Sequence, residues 1–354
     1  MTDQFWSNRK VLITGHTGFK GGWLTLWLQK LGARVFGYSL HPSTERGPYY
    51  KASISKYLHG EYIGDIRDRK RVDRVFEQFQ PEFVFHLAAQ PLVKVSFDEP
   101  LDTFDINITG LLNILENVRT KSCTKVLVNV TSDKCYNNVN DEAFTEDSSL
   151  GGDDPYSASK ACSEIISNAY KLSFFNCRQI GIATARAGNV IGGGDFTKSR
   201  LLPDCFRAVE NNLPLKIRNP HAVRPWQHVF EPLNGYLTLA ERLYEDPARY
   251  SGAWNFGPVI DGSVTVEKLV ELFRLRFPNL NTIVSDGSFG EKYALSIDSS
   301  KSVKYLKWRP KWTIERAIEK TIEWNLHSSL RKCSRDFSFE KIEEYYAHEI
   351  NKNA

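Results

Sequence analysis

Val11-Leu-Ile-Thr14 runs directly into Gly15-His-Thr-Gly18-Phe-Lys-Gly21-Gly22, and Trp23, Leu24, Trp27, Leu28 and Leu31 then recur at helical spacing. An apolar strand, a glycine loop and an amphipathic helix follow one another without a gap. Glycine at 15, 18 and 21 allows a tight turn and close backbone approach. The opening turn of the helix offers N–H donors and the positive end of its dipole. A plain strand-to-helix turn would need no such glycine spacing. The stretch therefore predicts a dinucleotide pyrophosphate site at the first strand of a parallel sheet.

The rhythm continues outward from that loop. Strands are expected at Arg34–Tyr38, Glu61–Ile63, Phe83–Leu87, Lys125–Val130 and Gln179–Ala183. Between them, Val72, Val75, Phe76 and Phe79 form a helix face, with Pro81 beyond its end. Ile108, Leu111, Leu112, Leu115 and Val118 form a second, and Ala158 to Ala169 a third. Continuous apolar strands alternating with helices mean a sheet covered on both faces. The fold class is α/β, a doubly wound parallel sheet with a smaller mixed C-terminal domain. The pattern breaks near Ala187, where Gly192, Gly193 and Gly194 precede several prolines. We expect a cofactor domain over 1–187, with a return of about 225–258 through the strand-like Trp254–Gly257. Residues 188–354 are then mostly a substrate domain.

Composition sets the outer limits. The chain has 354 residues, 41% hydrophobic and 25% charged, ordinary for a globular protein. Forty-six basic against 42 acidic residues give +4, too weak and too dispersed for a nucleic-acid footprint. Six scattered cysteines without a CxxC pair, and a strand beginning by Lys10, are read as reduced thiols in a cytoplasmic protein with no targeting segment. No His or Cys cluster has ligand spacing, so no metal site is expected. No apolar run approaches the roughly 20 residues that span a bilayer.

Tyr156-Ser-Ala-Ser-Lys160 puts a phenol and an ammonium on one helix face. A nearby lysine favours phenolate, so the tyrosine is expected to be tuned toward neutral pH and to take a hydroxyl proton while carbon gives up hydride. With fifteen tyrosines, such a pair arises by chance. Its place just after the fifth strand is what gives it weight.

The GxxGxxG spacing and the Tyr156/Lys160 pair resemble the extended short-chain dehydrogenase/reductase family. The resemblance implies NAD as cofactor. Its candidate contacts are Gly15, His16, Thr17, Gly18, Phe19 and Gly21, then Ser39, Asp65, Ile66 and Ala88, together with Tyr156 and Lys160. One family element is missing: the second strand ends in Ser39 where an Asp or Glu normally grips the adenosine ribose. The first arginine beyond it is Arg46, which leaves a 2′-phosphate without an obvious partner and favours NAD over NADP. Asp65 fits an adenine contact or a helix cap equally well. His16 fits a pyrophosphate contact or a solvent-facing loop residue. His86 reads as a core histidine, and Asn107 as a capping or packing residue.

The fifth strand ends in Thr131-Ser-Asp-Lys-Cys-Tyr136. Ser132 matches the family hydroxyl that bonds the reacting group. Sugar-nucleotide 4,6-dehydratases usually carry Thr-Asp-Glu here, with Asp as acid and Glu as base; a 4-epimerase needs neither. In this chain Asp133 is kept and Lys134 stands where the base is usual. Together with Arg186-Ala-Gly-Asn-Val-Ile-Gly-Gly-Gly-Asp195 and Arg224-Pro-Trp-Gln-His228, these strings resemble the dehydratases that act on CDP-glucose. The implied catalytic set is Ser132, Asp133, Lys134, Tyr156 and Lys160. The implied diphosphate contacts are Asn189 and Arg224, with Arg200 and Arg218 weaker candidates. The implied activity is a lyase making a 4-keto-6-deoxy sugar nucleotide for bacterial surface polysaccharides such as the O-antigen of lipopolysaccharide. A homodimer paired through the Ile108–Val118 and Ala158–Ala169 helices is also implied. The rivals are a same-family epimerase or reductase, which Asp133–Lys134 argues against, and a non-catalytic NAD-binding regulator, which has no need of the catalytic set.

Overall fold

The computed structural model describes residues 3–137, 143–258, 264–284, 296–330 and 334–350; Cys333 lies outside them. Seven parallel strands form the central sheet: β1 (Lys10–Thr14), β2 (Arg34–Ser39), β3 (Gly60–Ile63), β4 (Phe83–His86), β5 (Val126–Val130), β6 (Gly181–Ala187) and β7 (Gly252–Phe256). Their order is β7-β6-β5-β4-β1-β2-β3. The direction of winding reverses between β1 and β4, whose register pairs Ile13 with Phe85. Ligands in such sheets sit beyond the C-terminal strand ends at that reversal, where Gly15 and Ala88 lie.

The helices that position the site are α1 (Phe19–Lys30), α2 (Arg69–Phe79), α3 (Gly110–Thr120), α4 (Pro155–Tyr170), α5 (Leu201–Glu210) and α6 (Phe230–Glu245). Their ends follow local chemistry. The Asp68 carboxylate caps α2 at the Arg71 N–H, and Gln80 leaves it in the left-handed region. The Asp154 carboxylate caps α4 at the Ser157 N–H, with Pro155 in the first turn. The sixth strand starts two residues later than its apolar run suggested, and extends to Ala187. Gln179 ends a helical turn in the left-handed region, at φ 53°, so the run cannot be extended until after it.

The sheet is packed on both faces. One cluster joins Trp6, Trp23, Trp27, Val11 and Trp254 to α6. The other joins Phe36, Phe76, Val84, Leu111 and Ile114. Fully burying one such side chain contributes about 1.5–3 kcal/mol. As expected, Trp254 lies on a strand that returns to the main sheet: β7 pairs with β6, Trp254 against Ala185. A third cluster, with Leu202, Phe206, Ile217, Leu269 and Phe273, underlies the C-terminal region. Two further helices, α7 (Ile314–Leu330) and α8 (Arg335–Ile350), bring Trp324, Ile342 and Tyr345 back into the first cluster. Among the described residues no helix is long and apolar enough to cross a membrane.

Candidate active site

The glycine loop is a cradle that side chains would fill. Gly15 has φ +78°, and a Cβ on it would stand 2.8 Å from the Ala88 nitrogen. A Cβ on Gly21 would stand 2.1 Å from the Gly15 carbonyl oxygen. No side chain caps the first turn of α1, so its N–H groups remain available to an anion. Phe19 packs against the first core cluster. The cradle and the uncapped helix end fit a dinucleotide pyrophosphate.

Around it, the adenosine side departs from the usual chemistry. Thr17 Oγ1 and Ser39 Oγ lie 2.8 Å apart, and the Thr17 hydroxyl also reaches the Leu40 carbonyl at 2.9 Å. Two hydroxyls thus meet at the end of β2, where the chain lacks the acidic residue, as read from the sequence. Asp65 is paired with Arg67 at 2.8 Å, whose hydrogen bonds hold its carboxyl below the usual range. Ile66 is buried against Gly110, and the Ala88 N–H donates to Thr14 Oγ1 at 3.2 Å.

His16 is not a solvent-facing loop residue. It is fully buried, with Nε2 2.6 Å from Glu61 Oε1 and its ring over Gly37. The Tyr49 hydroxyl donates to the same Glu61 oxygen at 2.8 Å. Burial would raise the Glu61 carboxyl, but the His16 and Tyr49 bonds outweigh it and lower it. His86 is a core histidine, as read: its Nδ1 is 2.8 Å from Thr14 Oγ1, and burial lowers it to about 3. Asn107 packs, accepting from the Gln90 N–H at 2.8 Å and donating to Ser159 Oγ at 2.8 Å, which ties the loop after β4 to α4.

Beyond β5 the chain makes one tight turn over Asp133–Cys135, capped by Ser132, whose Oγ accepts the Lys134 N–H at 3.2 Å. The Ser132 hydroxyl donates to Asp133 Oδ1 at 2.9 Å. Asp133 Oδ2 is buried with no hydrogen-bond partner among the described residues, close over Gly188. Burial raises the Asp133 carboxyl, against the cations of Lys134, Lys20 and Arg224 and the Ser132 bond. Lys134 itself is half-buried.

Tyr156 and Lys160 are both buried on α4. The expected depression of the phenol is absent. Burial pushes Tyr156 up to about 12; the Ser132 hydrogen bond opposes this and the Asp133 charge adds to it. Lys160 turns its Nζ to the Val130 carbonyl at 3.3 Å, and burial lowers its ammonium to about 8. That bond ties the lysine to the end of β5.

Of the candidate phosphate ligands, Arg224 lies near enough for its charge to bear on Asp133. Arg200 bears on Tyr156 and Lys20 and is anchored to the buried Asp195 at 3.1 Å. Asn189 receives the Gln227 N–H at 3.0 Å through its carbonyl, which seats the Arg224 segment beside β6. Arg218 is exposed just after the short strand Leu215–Ile217.

The comparisons with known proteins fit this geometry. Residues 12–253 match the family model described as GDP-mannose 4,6 dehydratase. The chain belongs to that family. It is 42% identical to the CDP-glucose 4,6-dehydratase of Salmonella typhimurium, over 91% of each chain. It is 26% identical to the CDP-paratose 2-epimerase of Salmonella typhi, over 89% of this chain and 98% of that one. Among solved structures, UDP-glucose 4-epimerase of Thermotoga maritima with UDP-glucose superposes with TM-score 0.79 at 21% identity, covering 91% of this chain and 99% of the other. dTDP-glucose 4,6-dehydratase of Bacillus anthracis in complex with NAD gives 0.75 at 21% identity, covering 90% and 97%. These two likenesses establish the fold the family shares.

Sequence reasoning missed two members of the site. Lys20, in the first turn of α1, is lowered to about 8 by desolvation and by Arg200, with Asp133 opposing. A lysine inside a glycine loop was the available signal. Tyr236 on α6 is fully buried, its hydroxyl without a partner among the described residues. Burial and then the charges of Asp133 and Tyr156 raise it. It reads in sequence as one more apolar position of its helix.

Proposed function

We propose that this chain is an NAD-dependent hydro-lyase that converts CDP-glucose to CDP-4-keto-6-deoxyglucose and water. The observation that carries the reading is Asp133: a buried carboxyl held toward its protonated form, at the strand end beside Ser132, with Tyr156 and the three cations Lys134, Lys20 and Arg224 within electrostatic reach. An epimerase has no use for an acid there. A dehydratase needs one to protonate the departing C6 hydroxyl.

NAD in the Gly15–Gly21 cradle supplies a hydride acceptor at C4 and a hydride donor at C6 within one turnover. The protein's own groups do the rest. Tyr156 takes the C4 hydroxyl proton as phenolate, so the loaded site must bring the phenol down from the value of about 12 that burial gives it here, and Ser132 orients that hydroxyl. With a ketone at C4, the C5 proton is acidic; Lys134 removes it and returns a proton to C5 once hydride has reached C6. Asp133 gives its proton to the C6 hydroxyl, which leaves as water. Lys160 holds the cofactor ribose and supports Tyr156. Arg224 and Asn189 face the substrate diphosphate, with Arg200 and Arg218 beside them; guanidinium forks match phosphate oxygens.

The same reading takes 1–187, with the return over about 225–258, as the cofactor domain, and most of 188–354 as the substrate side. It places the protein in the cytoplasm as a homodimer. The expected pairing through the Ile108–Val118 stripe does not hold, because Leu111, Leu115 and Val118 are buried against the sheet; the dimer rests instead on the exposed apolar residues Ile165 on α4, Leu172 just beyond its end, and Phe97 and Leu101 on the short helices ahead of α3. The deciding experiment offers CDP-, dTDP-, UDP- and GDP-hexoses with NAD and follows the 4-keto product. Turnover of CDP-glucose with deuterium moved from C4 to C6 is expected. Steady net production of NADH, or a 4-epimer as product, overturns the reading.

A further inference from the structure

One buried carboxylate below the site joins three elements. Glu164 lies on α4 one turn beyond Lys160 and is 3% exposed. Its Oε2 accepts from Arg186 Nη2 at 2.7 Å and from the Thr184 hydroxyl at 2.6 Å. Its Oε1 accepts from the Thr131 hydroxyl. Thr131 directly precedes Ser132 at the end of β5, while Thr184 and Arg186 lie on β6. Arg186, equally buried, reaches the Tyr136 hydroxyl at 2.7 Å and the Glu146 carbonyl at 3.2 Å.

We propose that Glu164 is a positioning residue for the reaction, locking the β5 end that carries Ser132 and Asp133 onto α4 and placing a carboxylate one helical turn from Lys160. Tyr156, Lys160 and Glu164 follow at intervals of four along one face of α4. The groups that bear on Lys160 come from each element around it. Glu164 on α4 and Cys135 on the 133–135 turn favour its charge. His86 on β4 and Lys20 on α1 are the neighbours whose own cationic forms Lys160 disfavours. Burial keeps the Cys135 thiol protonated and His86 neutral. Of these four, Glu164 is left as the anion that offsets the desolvation of Lys160. A buried ion pair kept for stability alone could be exchanged for apolar side chains of similar volume. This one also supplies a charge to the lysine one turn away.

The inference rests on Lys160 being part of the machinery, and its test separates the two. In full-length protein labelled with carbon-13 at lysine Cε, the Lys160 resonance, assigned through Lys160→Met, is titrated with pH. Glu164→Gln should lower its midpoint by roughly one pH unit or more, and Glu164→Asp should stay near the parent. Because Glu164→Gln leaves Arg186 buried and alone, the double variant Glu164→Gln with Arg186→Met is measured too, with the same downward shift expected. The alkaline limb of kcat/KM should move down with the midpoint. A midpoint that stays put in the variants that fold, or falls equally in Glu164→Asp, overturns the proposal. A midpoint that moves while the alkaline limb does not removes Lys160 from the reaction, and the proposal with it.

Discussion

The Ser132 hydroxyl donates to Asp133 Oδ1 across 2.9 Å, while the other carboxyl oxygen is buried with no hydrogen-bond partner among the described residues. The two oxygens of one side chain therefore have different work. One is fixed by the residue that also faces Tyr156. The other is left in a desolvated place where a proton is favoured.

Asp133→Asn is expected to keep C4 oxidation and lose elimination. The loss should be about 10²–10⁴-fold, the usual worth of a positioned acid. Quenched reactions that resolve the 4-keto hexose from the 4-keto-6-deoxy product measure it. Elimination at the parent rate would remove Asp133 as the acid.

The same carboxyl makes stability depend on pH. Its folded pKa is raised above the unfolded value, about 3.9, by burial. Its favourable contribution is thus complete below the unfolded value and is lost as pH rises through the folded one. Asp133→Asn does not titrate there, so its stability relative to the parent should be higher at pH 8 than at pH 4. Urea denaturation at the two values tests the sign.

Lys134→Met should oxidise C4 and accumulate bound NADH, yet lose both solvent exchange at C5 and elimination. Proton exchange followed by mass spectrometry reads the first and the keto product the second. Near-normal elimination with altered NAD binding would assign Lys134 an electrostatic role instead of that of a base.

Gly21→Ala places a methyl where the Gly15 carbonyl already sits, 2.1 Å away. Backbone must move, at a cost of about 1–3 kcal/mol, and the cradle moves with it. A lower melting temperature and weaker NAD binding by isothermal calorimetry are expected together. Unchanged NAD affinity would place the pyrophosphate elsewhere.

Ile165 on α4 is 57% exposed and Leu101 is 84% exposed, an apolar face that water leaves unsatisfied in a monomer. Ile165→Asp should convert a particle of twice 40.5 kDa to one of 40.5 kDa in sedimentation. A parent already monomeric at micromolar concentration would contradict the dimer.

What could be read from the amino-acid order was what short stretches decide for themselves. Strand, glycine loop and helix at 11–31, the alternation through Ala187, and the spacing of Tyr156 and Lys160 are local properties: backbone freedom, side-chain period, the length of a helical turn. The returning strand at Trp254 was legible for the same reason. Only the tertiary structure decided the protonation chemistry, because desolvation and charge are set by groups far apart in sequence. Lys160 is lowered to about 8, and Tyr156 raised to about 12 instead of being depressed, once β5 and α4 close together. His16 left the solvent when Glu61 and Tyr49, 45 and 33 positions away in the chain, came to lie beside it. Tyr236 and Glu164 carried no mark in the sequence, and Lys20 and Arg186 were marked only by the motifs they sit in, since each takes its part in the site from what folds against it.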